Sequence, residues 1–280
     1  MKEYKEVLEY TLKHGSMKNN RTDYKTLSTN AYLSRMDVSD SFPATTIKKI
    51  AWKPAVGEFL WMVSSSTNVN DLREITYGKG SDKKTIWDAN YEHQGKNLGY
   101  VDGYMGKIYG HQWRKGKFDQ LQRVIDKIRT IGDDRRLLVN SWNIDDLETM
   151  VVPPCHYAYQ FYVDGDKLSL SYVMRSTDLG LGLPFDNVLY GLLLYVVAQM
   201  TGKKPHMLNF INSGDIHIYE NHIDAVKEML KREPYPAPKL NIKTPFDQNS
   251  TLEDVVKSGV ENFELVDYKC HPRIKMDMAV

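Results

Sequence analysis

Cysteine is nearly absent, with two residues in 280. That excludes a disulfide-stapled scaffold and a four-cysteine zinc site, and no metal is expected. It fits a reducing compartment in which a thiol stays available for catalysis. A surplus of either charge is missing too. Lys and Arg number 37 against 36 Asp and Glu, a formal net charge of +1. No bulk field draws such a chain to nucleic acid or to an acidic membrane, so any anion site must be a local cluster. No apolar run approaches the roughly 20 residues that a membrane span needs; the most apolar stretch is Val188 to Met200. The N-terminus, MKEYKEVLEYTLKHG, mixes charges on a helical apolar period and lacks the apolar core of a signal peptide. Repeats and low-complexity linkers are absent, and Pro and Gly are scattered, so nothing marks a domain boundary. The remainder is ordinary globular composition, 41% hydrophobic and 26% charged, which excludes a mostly disordered chain. These features predict a cytoplasmic α+β protein with one domain over 1–280.

Hydrophobic periodicity outlines the elements. Tyr4, Val7, Leu8 and Leu12 predict a first helix ending near His14-Gly15, and residues 26–38 alternate like a half-buried strand. Thr45 or Thr46 is placed to cap a helix carrying Ile50, Val56, Phe59 and Val63. Short helical periods follow at 70–75 and 118–131, and 137–142 is strand-like. Tyr157 to Val163 and Leu168 to Val173 flank Asp164-Gly165-Asp166, a strong hairpin signal. Phe185 to Met200 is apolar on nearly every face, which predicts a central buried helix. A strand over 208–218, a helix over 223–230 and short strands at 239–242 and 263–266 complete the pattern.

Most of the chemistry sits in RRLLVNSWNIDDLETMVVPPCHYAYQFYV. Cys155 follows Pro153-Pro154, which removes two amide donors and stiffens the approach to the thiol. A thiol on a rigid turn near cations is a setting that favours thiolate; a buried inert cysteine is the plain alternative. Arg135-Arg136 opens an apolar strand, so the two side chains are expected to point to opposite faces. Arg175-Ser176 adds a guanidinium and a hydroxyl, both good phosphate ligands, and Arg21-Thr22 is a further candidate.

Taken together, these segments resemble the thymidylate synthase family. The motifs RR-x4-SWN and PPCH-x3-QFYV carry the resemblance, together with FPATTIKKIAWK, GEFLWMVSSSTNVNDLR, YGHQWR, MRSTDLGLGLPFDNVLYGLLL, SGDIHIYENH and HPRIKMDMAV. It runs from Met1 to Val280. The resemblance implies a large mixed sheet flanked by helices, a homodimer paired through the sheet face, a pyrimidine nucleotide substrate and 5,10-methylenetetrahydrofolate as carbon donor. By motif, Cys155 is the nucleophile, with His156 beside it, Glu58 manages protons and Tyr109 lies near the C5 proton. Arg21, Arg175 and Ser176 hold the phosphate, and Arg135 and Arg136 reach the partner subunit's phosphate. Thr177, Asp178 and Asp186 line the nucleotide, and His217, Ile218 and Tyr219 form the motif that binds the sugar hydroxyl. Lys48, Ile86, Trp87, Asp178, Gly182, Phe185 and Ala279 line the folate site.

These residue types suit the chemistry. Pyrimidine C5 is a poor nucleophile, and thiolate addition at C6 turns it into an enolate or enamine carbon that can attack the one-carbon unit. Protons must then leave C5, which calls for a positioned acid/base.

The chain also departs from the family pattern. Where the motif usually ends in Asn, this chain has Asp186. That Asn accepts from uracil N3–H and faces O4 with its amide. Cytosine reverses both edges, and a protonated carboxyl matches them; a helix-cap exchange of Asn for Asp is the plain alternative. Met174, Gly180 and Asp186 resemble the deoxycytidylate hydroxymethylases of phages, whereas Trp87 and the Met278-Ala279-Val280 terminus are those of synthases. The loop Arg21-Thr22-Asp23-Tyr24-Lys25-Thr26 has lost the family's two glycines. The resulting expectation is hydroxymethylation of dCMP to 5-hydroxymethyl-dCMP. The alternatives are dCMP 5-methylation with release of dihydrofolate and a dUMP-using thymidylate synthase.

Overall fold

The structure is a computed structural model that describes residues 2–278. In chain order, the elements are α1 (Lys2–His14), β1 (Ser16–Lys18), β2 (Thr26–Asp37), α2 (Trp52–Val63), α3 (Val69–Tyr77), α4 (Ile86–Asn90), α5 (Tyr109–Arg114) and α6 (Gln120–Thr130). They continue with β3 (Leu138–Asn140), β4 (His156–Asp164), β5 (Lys167–Asp178), α7 (Gly182–Met200), β6 (Lys204–Tyr219), α8 (Ile223–Leu230), β7 (Lys239–Ile242), α9 (Leu252–Lys257) and β8 (Phe263–Val266).

The main sheet has the order β1-β2-β6-β5-β4-β3. β5 and β6 run parallel and the other neighbours antiparallel, so the sheet is mixed. β4 and β5 meet in the expected hairpin, with Gly165 at φ 59. α7 crosses between them and β6, as a parallel connection requires, and packs on β5, β6 and α2. It is 19 residues long, extending past both the 185–200 helix and the 188–200 apolar run seen in the sequence. Its mean hydropathy of 1.3 is enough by length and composition to cross a membrane, but 78% of it is buried inside the protein. Its all-round apolar surface is therefore core surface.

Two register shifts matter for function. β4 and β5 slip between His156 and Ala158, and β5 and β6 between Met174 and Ser176. Bulges re-aim neighbouring side chains, and these two flank Cys155 and Arg175. At the second, a Cβ on Gly214 would lie 2.4 Å from the Arg175 carbonyl oxygen, so only glycine allows that approach.

Three local expectations are corrected. α2 begins at Trp52 with Ala51 as its cap residue and no side-chain cap bond. Thr46 instead donates to the Tyr235 carbonyl (3.0 Å), and the Thr45 carbonyl accepts from Tyr268 Oη (2.8 Å). Pro54 sits in the first turn of α2, where a missing N–H costs nothing. Arg135 and Arg136 lie in a turn before β3, and both are exposed; strand alternation does not separate them. The YGHQWR segment, which periodicity left unassigned, forms the short helix α5.

Candidate active site

Cys155 ends the Pro-Pro turn one residue before β4. Its amide donates to Tyr109 Oη (2.8 Å), and its carbonyl accepts from the Arg175 amide (2.9 Å). The Arg175 guanidinium donates to the carbonyls of Pro154 (2.9 Å) and Pro153 (2.8 Å), with one nitrogen 3.8 Å from Cys155 Sγ. The two prolines, which cannot donate, thus supply the acceptors that aim the cation at the sulfur. Burial nonetheless pushes the thiol's pKa up. Arg175 and Arg21 pull it down, Asp186 adds to the rise, and the cations do not prevail. The expected ready-made thiolate is not what this arrangement gives on its own.

Behind the thiol lies a wall of rings. Tyr109 stacks on His156 with centroids 4.2 Å apart and meets Trp87 edge-on at 5.8 Å. His156 Nδ1 is 2.7 Å from Tyr190 Oη, and Tyr190 stacks on Tyr172 at 4.3 Å. Burial holds the His156 pKa down at about 3. This ring stays neutral near pH 7, so His156 supports the wall and is not a charged acid. The sequence did not single out Tyr190 or Tyr172.

Two carboxyls face this wall. Trp87 Nε1 donates to Glu58 Oε1 (2.7 Å), yet burial raises the Glu58 pKa to about 7. Such a group can both take and give a proton at neutral pH. Asp186, the fifth residue of α7, is held well above the usual carboxylate range by burial first, then by Glu58 and Asp178. Burial therefore favours its neutral form, which has one O–H to donate and one oxygen to accept.

Strand alternation divides the motif residues. His217 and Tyr219 share one side of β6, with rings 5.1 Å apart, while Ile218 between them is fully buried in the core. The Ile218 side chain therefore does not join the sugar-side cluster. Thr177 is likewise interior, accepting from Asn212 Nδ2 (2.8 Å), whereas Ser176 and Asp178 flank it on the other side. His217 Nδ1 lies 2.7 Å from Asp215 Oδ1, which orients the ring. Asp215 was overlooked; its place two residues before His217 in the strand was the available signal.

The folate-side residues are partly engaged within the chain. Lys48 is buried and donates to the Gly180 carbonyl (2.5 Å), and burial lowers its pKa to about 8. Asp178 accepts from the amides of Gly180 (2.8 Å) and Leu181 (3.2 Å) at the start of α7. Gly182 lies between Asp178 and Asp186: a Cβ there would be 3.6 Å from the Asp178 Cβ and 3.8 Å from Asp186 Oδ2. Ile86 is 52% exposed at the start of α4 and Phe185 is half-buried, so an apolar ring can lie against them. These residues fit a folate. The Ala279 assignment lies outside the described residues.

The cations do not all converge. Arg21 is exposed in the 19–25 loop, close enough for its charge to reach Cys155 and Tyr219. Arg135 and Arg136 stand in solvent, the latter 3.4 Å from Asp134.

The thymidylate synthase family profile matches residues 2–280. The chain belongs to the thymidylate synthase family. It is 42% identical over 287 residues to the thymidylate synthase of Enterobacteria phage T4 and 40% identical over 281 residues to a probable thymidylate synthase of Escherichia phage T5, with each alignment covering the whole of both chains. The human thymidylate synthase is 40% identical over 297 residues, covering 99% of this chain and 90% of that protein. The crystal structure of the T4 phage thymidylate synthase superposes with a TM-score of 0.93 over the full length of both chains. The fold is thus the thymidylate synthase fold, and the chain is a one-carbon transferase with methylenetetrahydrofolate as co-substrate. Thymidylate synthases are homodimers that bind a nucleotide and a folate. Among the described residues, no group of three or more His, Cys, Asp or Glu is placed to hold a metal.

Proposed function

We propose that this chain is a cytoplasmic synthase-type enzyme that methylates C5 of a pyrimidine deoxynucleotide, with dUMP as the substrate that its relatives' name indicates. The observation that carries this reading is the full-length match to phage thymidylate synthases, over a site whose thiol, guanidinium and buried carboxyl stand together. The hydroxymethyl product expected from Met174, Gly180 and Asp186 is set aside in its favour, because the relatives it matches are named for methyl transfer. The folate supplies the one-carbon unit and the hydride.

The chain's residues act as follows. Arg175, with Arg21 and Ser176 and with Arg135 and Arg136 of the partner subunit, holds the phosphate and fixes the ring over the sulfur. Added cationic charge beside Cys155 favours the thiolate, which adds to C6 of the pyrimidine. His217 and Tyr219 hold the sugar. Glu58 accepts and returns protons, and Tyr109 faces the C5 side. Ile86, Trp87, Phe185 and Gly182, with Lys48 and Asp178 anchoring the turn before α7, form the folate wall that keeps water from the reacting carbon.

A second reading of the base rests on Asp186. A neutral carboxyl in this place donates to cytosine N3 and accepts from its 4-amino group, whereas uracil N3–H meets a donor or must find the remaining oxygen. Each mismatched buried group costs about 1–3 kcal/mol, roughly ten- to a hundredfold in specificity. The deciding experiment offers dUMP and dCMP separately with methylenetetrahydrofolate, following dihydrofolate by absorbance and the product by mass. Methylated dUMP with stoichiometric dihydrofolate supports the first reading. Turnover of dCMP alone, reversed toward dUMP by Asp186→Asn, moves the base assignment to cytosine. Product without dihydrofolate overturns methyl transfer and restores hydroxymethylation.

A further inference from the structure

Trp87 sits near the start of α4, which runs on without a break into a π-helical turn (Tyr91–Gly95) and a 3-10 turn (Lys96–Leu98). A helical run of this length is marginal in water by itself and depends on tertiary ties. Two hold its N-terminal end. The first is a capping box: the Thr85 amide and hydroxyl donate to Asp88 Oδ2 at 2.5 and 2.9 Å. The second comes from α3, where the Arg73 guanidinium pairs with Asp88 Oδ1 and also donates to Asn70 Oδ1 (3.0 Å). The Asp88 side chain is only 3% exposed and that of Arg73 24%. Burial opposes the Asp88 charge, but Arg73 and Thr85 outweigh it and hold the carboxyl below its usual range. Such a pair is costly to break, because Asp88 is then left buried and charged with only the Thr85 cap. It therefore fixes where α4 sits.

Asp88 follows Trp87 directly. The Trp87 ring meets Trp61 at a tilt, 5.5 Å between centroids, and Tyr109 edge-on at 5.8 Å, so neither contact is a parallel stack. The edge carries the N–H that reaches Glu58. We infer that Arg73, through its ion pair with Asp88, is a positioning residue that holds the Trp87 indole N–H against Glu58. This rests on the reading of Glu58 as the proton-handling group. It adds a control from a residue on α3 that ends the GEFLWMVSSSTNVNDLR motif and was given no role there.

The direction of the effect follows from the groups around Glu58. Among the described residues its carboxylate has one donor, Trp87. Asp186 on α7 is a charged neighbour whose ionisation Glu58 opposes, and Tyr109 on α5 packs on the other side of Trp87 and itself faces Cys155, Asp186 and Arg175. Among the described residues, no cation is placed to replace the indole. Loosening α4 therefore disfavours the ionised form and raises the pH at which Glu58 titrates. On the other side of the pair, Glu92 is the further charge acting on Arg73.

The test is a pH titration of the full-length protein in which the indole 15N–1H signal of Trp87 is assigned with Trp87→Phe among the five tryptophans. In the parent protein this signal follows Glu58 with a midpoint near 7, and Glu58→Gln removes the dependence. Arg73→Gln is expected to raise the midpoint by about one pH unit, with the pH midpoint of kcat moving the same way and the nucleotide KM within about twofold. Arg73→Lys, which keeps the charge, is expected to bring the midpoint most of the way back to the parent value. If Arg73→Gln fails to fold, Asp88→Asn keeps an oxygen for the Thr85 cap and must shift the midpoint in the same direction. A folded variant of either kind with an unmoved midpoint overturns the proposal. If Glu58→Gln instead retains full turnover, the proton role of Glu58 fails while the positioning result, read by resonance alone, still stands.

Discussion

Around Cys155 the polar groups find partners within the chain: the sulfur's amide bonds Tyr109, Arg175 spans two prolyl carbonyls, His156 bonds Tyr190 and Glu58 bonds Trp87. On the phosphate side, Arg21, Arg135 and Arg136 are exposed, and the last two lie in a turn outside any strand. The contrast separates chemistry from capture. A group that must meet a developing charge is worth most when it is already aimed and dry. A cation that must catch a phosphate from solution, or serve a neighbouring subunit, gains from being open. The buried half finds its partners within one chain, and the open half is proposed to gain its function from a ligand and a second copy.

The sharpest way to break this contrast is at the sulfur. Cys155→Ser keeps the turn, the amide bond to Tyr109 and the Arg175 clamp, and exchanges only the nucleophile. A serine hydroxyl is far weaker at neutral pH, and among the described residues the side chain in hydrogen-bond contact with Sγ is the Arg175 guanidinium, which is no base. Turnover is expected to fall by about 10^4-fold or more, with the melting temperature unchanged. Cys270, which lies outside the active-site signature, should tolerate serine with near-parent turnover. Loss of activity in the Cys270 variant together with retention in the Cys155 variant would overturn the assignment of the thiol.

Much of the buried half was legible because local pattern and tertiary role agree. Asp164-Gly165-Asp166 announced its hairpin, the prolines before Cys155 announced a stiff turn, and the all-apolar stretch before Met200 announced a core helix. Other features depend on partners remote in sequence. Nothing near Thr46 shows that its hydroxyl serves the Tyr235 carbonyl, and nothing near Arg73 shows that it pairs with Asp88. The state of the thiol was misjudged for a related reason: counting nearby cations ignores desolvation, which here outweighs them. Ile218 and Thr177 came along with their motifs, although strand alternation alone turns them away from His217 and Ser176.

The open half offers a second, milder test. Removing one guanidinium from a phosphate site that has several takes away a charge-assisted bond of about 1.5–3 kcal/mol. Arg136→Ala is therefore expected to raise the nucleotide KM about 10- to 100-fold, with kcat changed far less. Because Arg136 is proposed to act on the partner's phosphate, mixing Arg136→Ala with Cys155→Ser chains, with subunit exchange verified, should recover part of the parent rate through one complete site per hybrid. No recovery would place Arg136 outside a shared site.

The smallest expected effect lies in the wall behind the thiol, where structure and reaction are hardest to tell apart. Tyr190→Phe keeps the ring that stacks on Tyr172 and removes the hydroxyl 2.7 Å from His156 Nδ1. A buried ring nitrogen is then left unpaired, at a cost of about 1–3 kcal/mol in stability, read as a lower urea midpoint with unchanged slope. His156 supplies a pH control for the same loss. Its folded pKa, about 3, is depressed from the ordinary histidine value of 6.5, so its contribution is present above pH 6.5 and is lost as pH falls toward 3. In the parent the loss from this one group is at most about 1.4 kcal/mol per pH unit, and burial, the cause of the shift, is kept in the variant, so the pH slope should be retained while the urea midpoint falls. Turnover at pH 7.5 should stay within about threefold, because the ring remains in place and uncharged. A fall in kcat comparable to that of Cys155→Ser would mean that the His156–Tyr190 pair moves a proton during the reaction, and the line between a preorganised wall and working chemistry would have to be redrawn to include it.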